Sequence, residues 1–245
     1  MEWRYETNMD WFDARRSVLT ATEAVSLLPS MRKKAKAGTR PAFVGLLGEK
    51  LSLVRQEQIT SGAAARGHVL EPYAVEEFGR HNQGYLMYHW DNRIVIDPAR
   101  SIGFSPDSLD VPMSEASPIA LTANDVNAKT LLEVKSYGDK HHMQSCFTEH
   151  DKHPERYQVA YGMLVLPTIE KGYLMFYNPG NMVGYHIEEY SRDELGKELK
   201  QLDDVVNEWA ATIALIKQRY AKGFPTTCRT EAQINQMEMS DLFKL

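Results

Sequence analysis

The stretch Leu131-Leu132-Glu133-Val134-Lys135 constrains this chain more than any other. It reads as an apolar strand that carries two opposite charges two residues apart. Alternation along a strand places Glu133 and Lys135 on one face and turns Val134 into the core. Upstream, Gly103-Phe104-Ser105 reads as a short strand running into Pro106, and Asp107 is then held in a turn. Taken singly, Pro-Asp is an ordinary turn dipeptide and Glu-x-Lys an ordinary solvent-facing pair. Together, two carboxylates and one ammonium at strand ends suit phosphodiester hydrolysis. Carboxylates hold Mg²⁺, which prefers oxygen ligands and keeps several waters, and the ammonium positions or activates the attacking water.

Two further residues could join this group. Glu71 lies in the helical pattern of Gly67-His68-Val69-Leu70-Glu71-Pro72, as a surface residue or as a metal ligand reaching in from that helix. Gln158, in Tyr157-Gln158-Val159-Ala160-Tyr161-Gly162, follows the Glu133 strand on the next helix. Its amide is either a polar-face group or one that orients Lys135 or the water.

The surrounding elements alternate in type. Residues 10–16 read as a short helix with Asp10 as N-cap, and Thr20 with Glu23 forms a capping box for a helix ending near Leu28. Residues 40–59 and 62–80 have helical spacing. Residues 85–96 and 130–136 read as strand material, with 111–129 between them as a loop or hairpin insertion. Pro154 to Leu166 reads as a helix, and 172–177 and 182–187 as a hairpin across Asn178-Pro179-Gly180-Asn181. A long amphipathic helix covers 191–220, and signals are weak after Gly223. The expectation is one α/β domain over residues 1–245, a central mixed sheet flanked by helices.

Composition excludes several classes. At 245 residues, 43% hydrophobic and 25% charged, the chain fits a soluble globular domain. No apolar run approaches the roughly 20 residues that span a bilayer, and the charged N-terminus has no apolar signal region. Cys146 and Cys228 are far apart, which points to reduced thiols in the cytoplasm and is too few for an iron–sulfur cluster. The net charge of −5 does not argue against DNA, because bound cations neutralise acidic ligands and affinity depends on local basic patches. Arg32-Lys33-Lys34, Lys36 and Arg40 form one such run, or else a solvated loop.

In this order, Trp11…Arg15, Val18-Leu19-Thr20-Ala21-Thr22-Glu23, Gly67…Glu71, Ser105-Pro106-Asp107, Leu132-Glu133-Val134-Lys135 and Gln158-Val159-Ala160-Tyr161 resemble the lambda-exonuclease (YqaJ-type) branch of the PD-(D/E)XK nucleases. The resemblance covers about residues 10–190 and implies a restriction-endonuclease-like fold. It implies a Mg²⁺-dependent 5′→3′ exonuclease, with Mn²⁺ as a substitute and two ions, that digests one strand of linear double-stranded DNA. By the same resemblance Asp107, Glu133 and the Val134 carbonyl bind metal with Glu71 close by. Lys135 handles the water and Gln158 stands behind it, while Asp97 occupies a position acidic in the family. Arg15 and Thr22, with Arg32 beside them, match residues that hold the 5′-phosphate, which suits a guanidinium fork and a hydroxyl donor. A homotrimeric ring, a single-strand annealing partner, phage-type recombination and a bacterial host cytoplasm are implied in the same way. Thr22 stands where the family has Ser. An endonuclease of the same fold and a non-catalytic DNA-end-binding module are the competing readings.

Overall fold

A computed structural model describes residues 9–28, 40–51, 62–82, 86–114 and 117–220. The chain opens with α1 (Met9–Arg16), α2 (Ala21–Leu27), α3 (Arg40–Leu51) and α4 (Gly62–His81). Short strands follow: β1 (Tyr88–His89), β2 (Ile94–Asp97), β3 (Ile102–Phe104), β4 (Ser108–Leu109) and β5 (Ala120–Thr122). Then come β6 (Thr130–Lys135), α5 (Asp139–Cys146), α6 (Arg156–Val165), the hairpin β7 (Lys171–Tyr177) and β8 (Tyr185–Ser191), and α7 (Gly196–Tyr220).

The strands form two sheets. The larger has the order β1-β4-β6-β7-β8 and is mixed, with β6 and β7 parallel and its other pairs antiparallel. The smaller has the order β3-β2-β5. Helices cover both faces of the larger sheet. On one face Leu131, Leu174 and Phe176 join a core with Leu27, Tyr161, Leu202, Val206 and Trp209 from α2, α6 and α7. On the other, Leu132, Val134, Tyr173 and Met175 pack on Ala74, Val75 and Phe78 of α4. The alternation expected of β6 is therefore real, but both of its faces are covered.

The strand ending at Phe104 and the strand beginning at Ser108 belong to different sheets. Ser105-Pro106-Asp107 is the crossing between them, which places Asp107 at a seam instead of in a simple turn. The stretch 111–129 also differs from the loop expected. Within it β5 pairs in parallel with β2, and Ala123–Asp125 forms a 3-10 turn. Three residues, Ala120-Leu121-Thr122, are too few to show a period. Helix α5, rich in His and Lys, likewise lacks an apolar stripe. Helix α1 starts at Met9, so Asp10 lies inside its first turn and is not the cap. Strand β8 extends to Ser191 and α7 starts later than expected, at Gly196. Residues 52–59 of the expected 40–59 helix, Cys228 and the residues after Gly223 lie outside the described residues.

Two local devices fix the site-bearing elements. The α1–α2 corner joins the smaller sheet as a one-residue strand: Leu19 N–H donates to Ser101 O at 3.0 Å, and Gly103 N–H donates to Leu19 O at 3.0 Å. The Tyr161 hydroxyl donates to the same Leu19 carbonyl. Ser101 adopts a left-handed φ of 53°, tolerated because its carbonyl also accepts the Trp209 indole N–H at 2.9 Å. Second, α6 lies against the sheet through glycines. A Cβ on Gly162 would stand 2.5 Å from Leu131 Cδ2, and one on Gly172 would stand 2.2 Å from Val159 Cγ1. Gly172→Ala should therefore lower stability by about 1–3 kcal/mol through overpacking against a stiff β-branched side chain; the midpoint of urea unfolding measures this.

Candidate active site

Strand β4 is short, and its ladder with β6 ends at Ser108↔Leu132. Beyond that pair the Asp107 side chain takes over, its Oδ2 accepting the Val134 N–H at 2.6 Å. The Asp107 carbonyl meanwhile accepts the Trp90 N–H at 3.2 Å. Main-chain and side-chain bonds together hold this carboxylate beside β6, where Glu133 and Lys135 emerge on the α6 side. Lys135 Nζ donates to Glu133 Oε1 at 2.5 Å. Arg15, Thr20, Ala21, Thr22, Phe104, Ser105, Asp107, Glu133, Lys135 and Gln158 line one cavity of about 170 Å³.

Burial and like charge set the electrostatics of this cavity. Burial raises the Asp107 pKa well above the usual carboxylate range, and the negative charges of Glu133 and Glu71 raise it further. Lys135 and the Val134 N–H only partly offset them. Burial works against the Lys135 ammonium, but Glu133 and Asp107 outweigh it and hold its pKa above the ordinary lysine value. Two carboxylates that repel each other, with oxygen ligands and room beside them, fit a divalent cation.

The far wall of the cavity is cationic. Arg15 Nη1 donates to Ser105 Oγ at 3.2 Å, and its guanidinium lies 4.6 Å from the centre of the Trp11 ring. Trp11 Nε1 donates to the same Ser105 Oγ at 3.0 Å and to Arg93 O at 3.2 Å. Burial lowers the Arg15 pKa, against the opposing pull of Glu23, Glu133 and Asp107. The corner behind it is tied down by Lys50, only 5% exposed, which pairs with Glu23 at 2.7 Å and donates to the Arg15 carbonyl at 2.9 Å. Glu23 also accepts the Thr20 N–H at 2.8 Å, as the capping box requires.

The sequence-derived residues divide in three ways. Asp107, Glu133, Lys135, Gln158, Arg15 and Thr22 come together around the cavity. Glu71 stands outside its lining: it pairs with His89 Nε2 at 2.8 Å, yet its charge still reaches Asp107. Asp97 is not brought to the cavity; its Oδ1 accepts the Ala99 and Arg100 N–H groups at 3.0 and 3.4 Å in the turn after β2. Arg32 and its basic run through Lys36 lie outside the described residues. The sequence assigned no role to Ser105, which orients Arg15 and Trp11, to Lys50 or to His89. A serine before proline reads as a turn, and a lysine on a helix reads as solvated, so neither carried a signal.

The family model described as the YqaJ-like viral recombinase domain matches residues 10–165. Two solved structures resemble the fold, each with a TM-score of 0.59 and 19% identity, covering 86% of this chain and 97% of the other. One is the alkaline exonuclease LHK-Exo from Laribacter hongkongensis; the other is LHK-Exo in complex with dAMP. The mixed sheet flanked by helices is thus the restriction-endonuclease-like architecture expected. Among curated proteins, none matches the sequence.

Because the folded chain binds the Asp107 proton more tightly than the unfolded chain, cation-free stability should fall as pH rises from the ordinary aspartate pKa through the raised folded value. Asp107→Asn should relieve this, adding about 1 kcal/mol at pH 8 without divalent cations; Mg²⁺ should raise the melting temperature of the parent and leave that of the variant unchanged. Thermal melts with and without Mg²⁺ at pH 6 and 8 measure both effects.

Proposed function

The chain belongs to the YqaJ-like viral recombinase family, and from that premise we propose that it is a Mg²⁺-dependent 5′→3′ exonuclease acting on the ends of linear double-stranded DNA. One observation carries the reading. A single cavity is lined on one side by Asp107, Glu133 and Lys135 and on the other by Arg15 and Thr22. A scissile phosphate and a terminal phosphate can therefore be bound side by side. The likeness in fold to an alkaline exonuclease solved with dAMP supports mononucleotide products.

Asp107, Glu133 and the Val134 carbonyl would hold the metal, with Glu71 behind them; two ions, Mg²⁺ or Mn²⁺ in its place, would neutralise phosphate charge and acidify water. The protein's own groups do the rest. Lys135, kept protonated by Glu133, orients the attacking water and offsets charge on the phosphate. Gln158 presents an amide to the same space from α6. Arg15 is pre-oriented by Ser105 and Trp11, so its planar fork meets a phosphate with little loss of side-chain freedom. The exposed Thr22 hydroxyl adds a donor. Asp97 has no part in this arrangement.

On this reading one nuclease domain occupies the chain and leaves 3′ single-stranded overhangs. A homotrimeric ring would keep it on its substrate, and an annealing protein in the host cytoplasm would use the overhangs for recombination.

Linear duplexes with and without a 5′-phosphate, and a closed circular duplex, are incubated with Mg²⁺. Release of 5′-mononucleotides from the linear forms with the circle intact is expected; nicking of the circle, or no Mg²⁺-dependent release, would refute the proposal. Lys135→Ala should fold and bind DNA ends but cleave at least about 100-fold more slowly, as single-turnover rates would show. Arg15→Ala should lose the preference for 5′-phosphorylated ends when both substrates compete in one reaction.

A further inference from the structure

A second polar cluster, sharing no residue with the cavity, lies between β8 and the 3-10 turn His150–Lys152 that precedes α6. His186 and Glu188 are two apart on β8 and so share a face. His186 Nε2 stands 2.6 Å from Glu188 Oε1, and His153 Nε2 stands 3.6 Å from the same oxygen. One ligand atom from each of these three residues fits within 4.8 Å of the others. His153 is 1% exposed, and its Nε2 has no hydrogen-bond partner among the described residues. A fully buried imidazole nitrogen left without a partner beside a carboxylate calls for an occupant.

The rings are held in place by aromatic neighbours. His153 packs on Phe176 at 4.9 Å, and His186 is stacked with Phe176 at 6.3 Å. The second carboxylate oxygen, Glu188 Oε2, is engaged from outside by His150 Nδ1 at 2.5 Å. His150 is itself stacked on Tyr190 at 4.3 Å. An outer group that orients a ligating carboxylate is a usual part of metal sites.

We propose that His153 Nε2, His186 Nε2 and Glu188 Oε1 bind one Zn²⁺ ion that fastens the start of α6 to β8. Two imidazoles and one carboxylate suit zinc over Mg²⁺, which prefers oxygen ligands. With bonds of about 2.0–2.1 Å in tetrahedral geometry, ligand atoms stand roughly 3.4 Å apart. The present separations bracket that value, so small side-chain rotations suffice. Water fills the fourth position. The ion would tie the start of the helix that carries Gln158 to β8, and the proposal does not depend on the nuclease reading.

The test uses the full chain carrying Asp107→Asn and Glu133→Gln, which removes the competing carboxylate pair, stripped with a chelator. Titration with ZnCl₂ by calorimetry and with CoCl₂ by visible absorption should show one equivalent bound. The cobalt bands should be those of a four-coordinate site, and neither signal should be displaced by excess Mg²⁺. Zinc should also raise the melting temperature. Adding His186→Ala or the isosteric Glu188→Gln should weaken zinc binding more than about tenfold and remove the thermal shift, with unchanged far-UV circular dichroism. No zinc binding by the parent at micromolar metal, or binding unaffected by both substitutions, overturns the proposal.

Discussion

One hydrogen bond organises the centre of this molecule: the Val134 N–H donated to Asp107. It forms where β4 stops supplying ladder partners to β6, and it replaces a main-chain acceptor with a carboxylate. An interior strand would otherwise leave that N–H unpaired, at a cost of about 1–3 kcal/mol. Satisfying it with Asp107 brings a negative charge within reach of Glu133. The geometry that completes the sheet is therefore the geometry that concentrates charge. Lys135 relieves part of the repulsion; burial first, and then the repulsion that remains, keep the Asp107 pKa raised.

Such a site is destabilising by itself and has to be held from outside. The α6 helix approaches closely enough that Gly162 and Gly172 leave no room for a Cβ. Arg192 closes the end of that helix by donating to the carbonyls of Met163, Leu166, Pro167 and Ile169. On the opposite side, Asn178 is fully buried and joins three elements, accepting from Arg66 of α4 and donating to Asp139 of α5 from the turn after β7. These ties lie around the cavity, and none of them uses its charged groups.

Much of this was legible in the sequence, for definite reasons. Glu133 and Lys135 stood out because charges in an apolar run need an explanation, and the Thr20–Glu23 spacing announces its own hydrogen bond. Asp107 was legible as a candidate site residue, and it lines the cavity, but its position between two sheets was not legible. Nothing in Phe104-Ser105-Pro106-Asp107-Ser108 marks a change of sheet. Strand β5 and helix α5 are too short or too polar to show a period. His150, His153, His186 and Glu188 come from a 3-10 turn, the residue after it and strand β8, and they meet only after β7 and β8 have folded back. The anchoring roles of Lys50 and Ser105 are tertiary in the same sense.

The pairing of Leu19 with the β3 edge has a wider meaning. It fastens the corner bearing Thr20 and Thr22 to the strand that runs on into Ser105 and Asp107. The cationic wall and the acidic wall are thus joined through main-chain hydrogen bonds. A polymer gripped by one and cut at the other would be measured against a fixed ruler, so the length removed at each step would belong to the fold and be the same whatever sequence passes through.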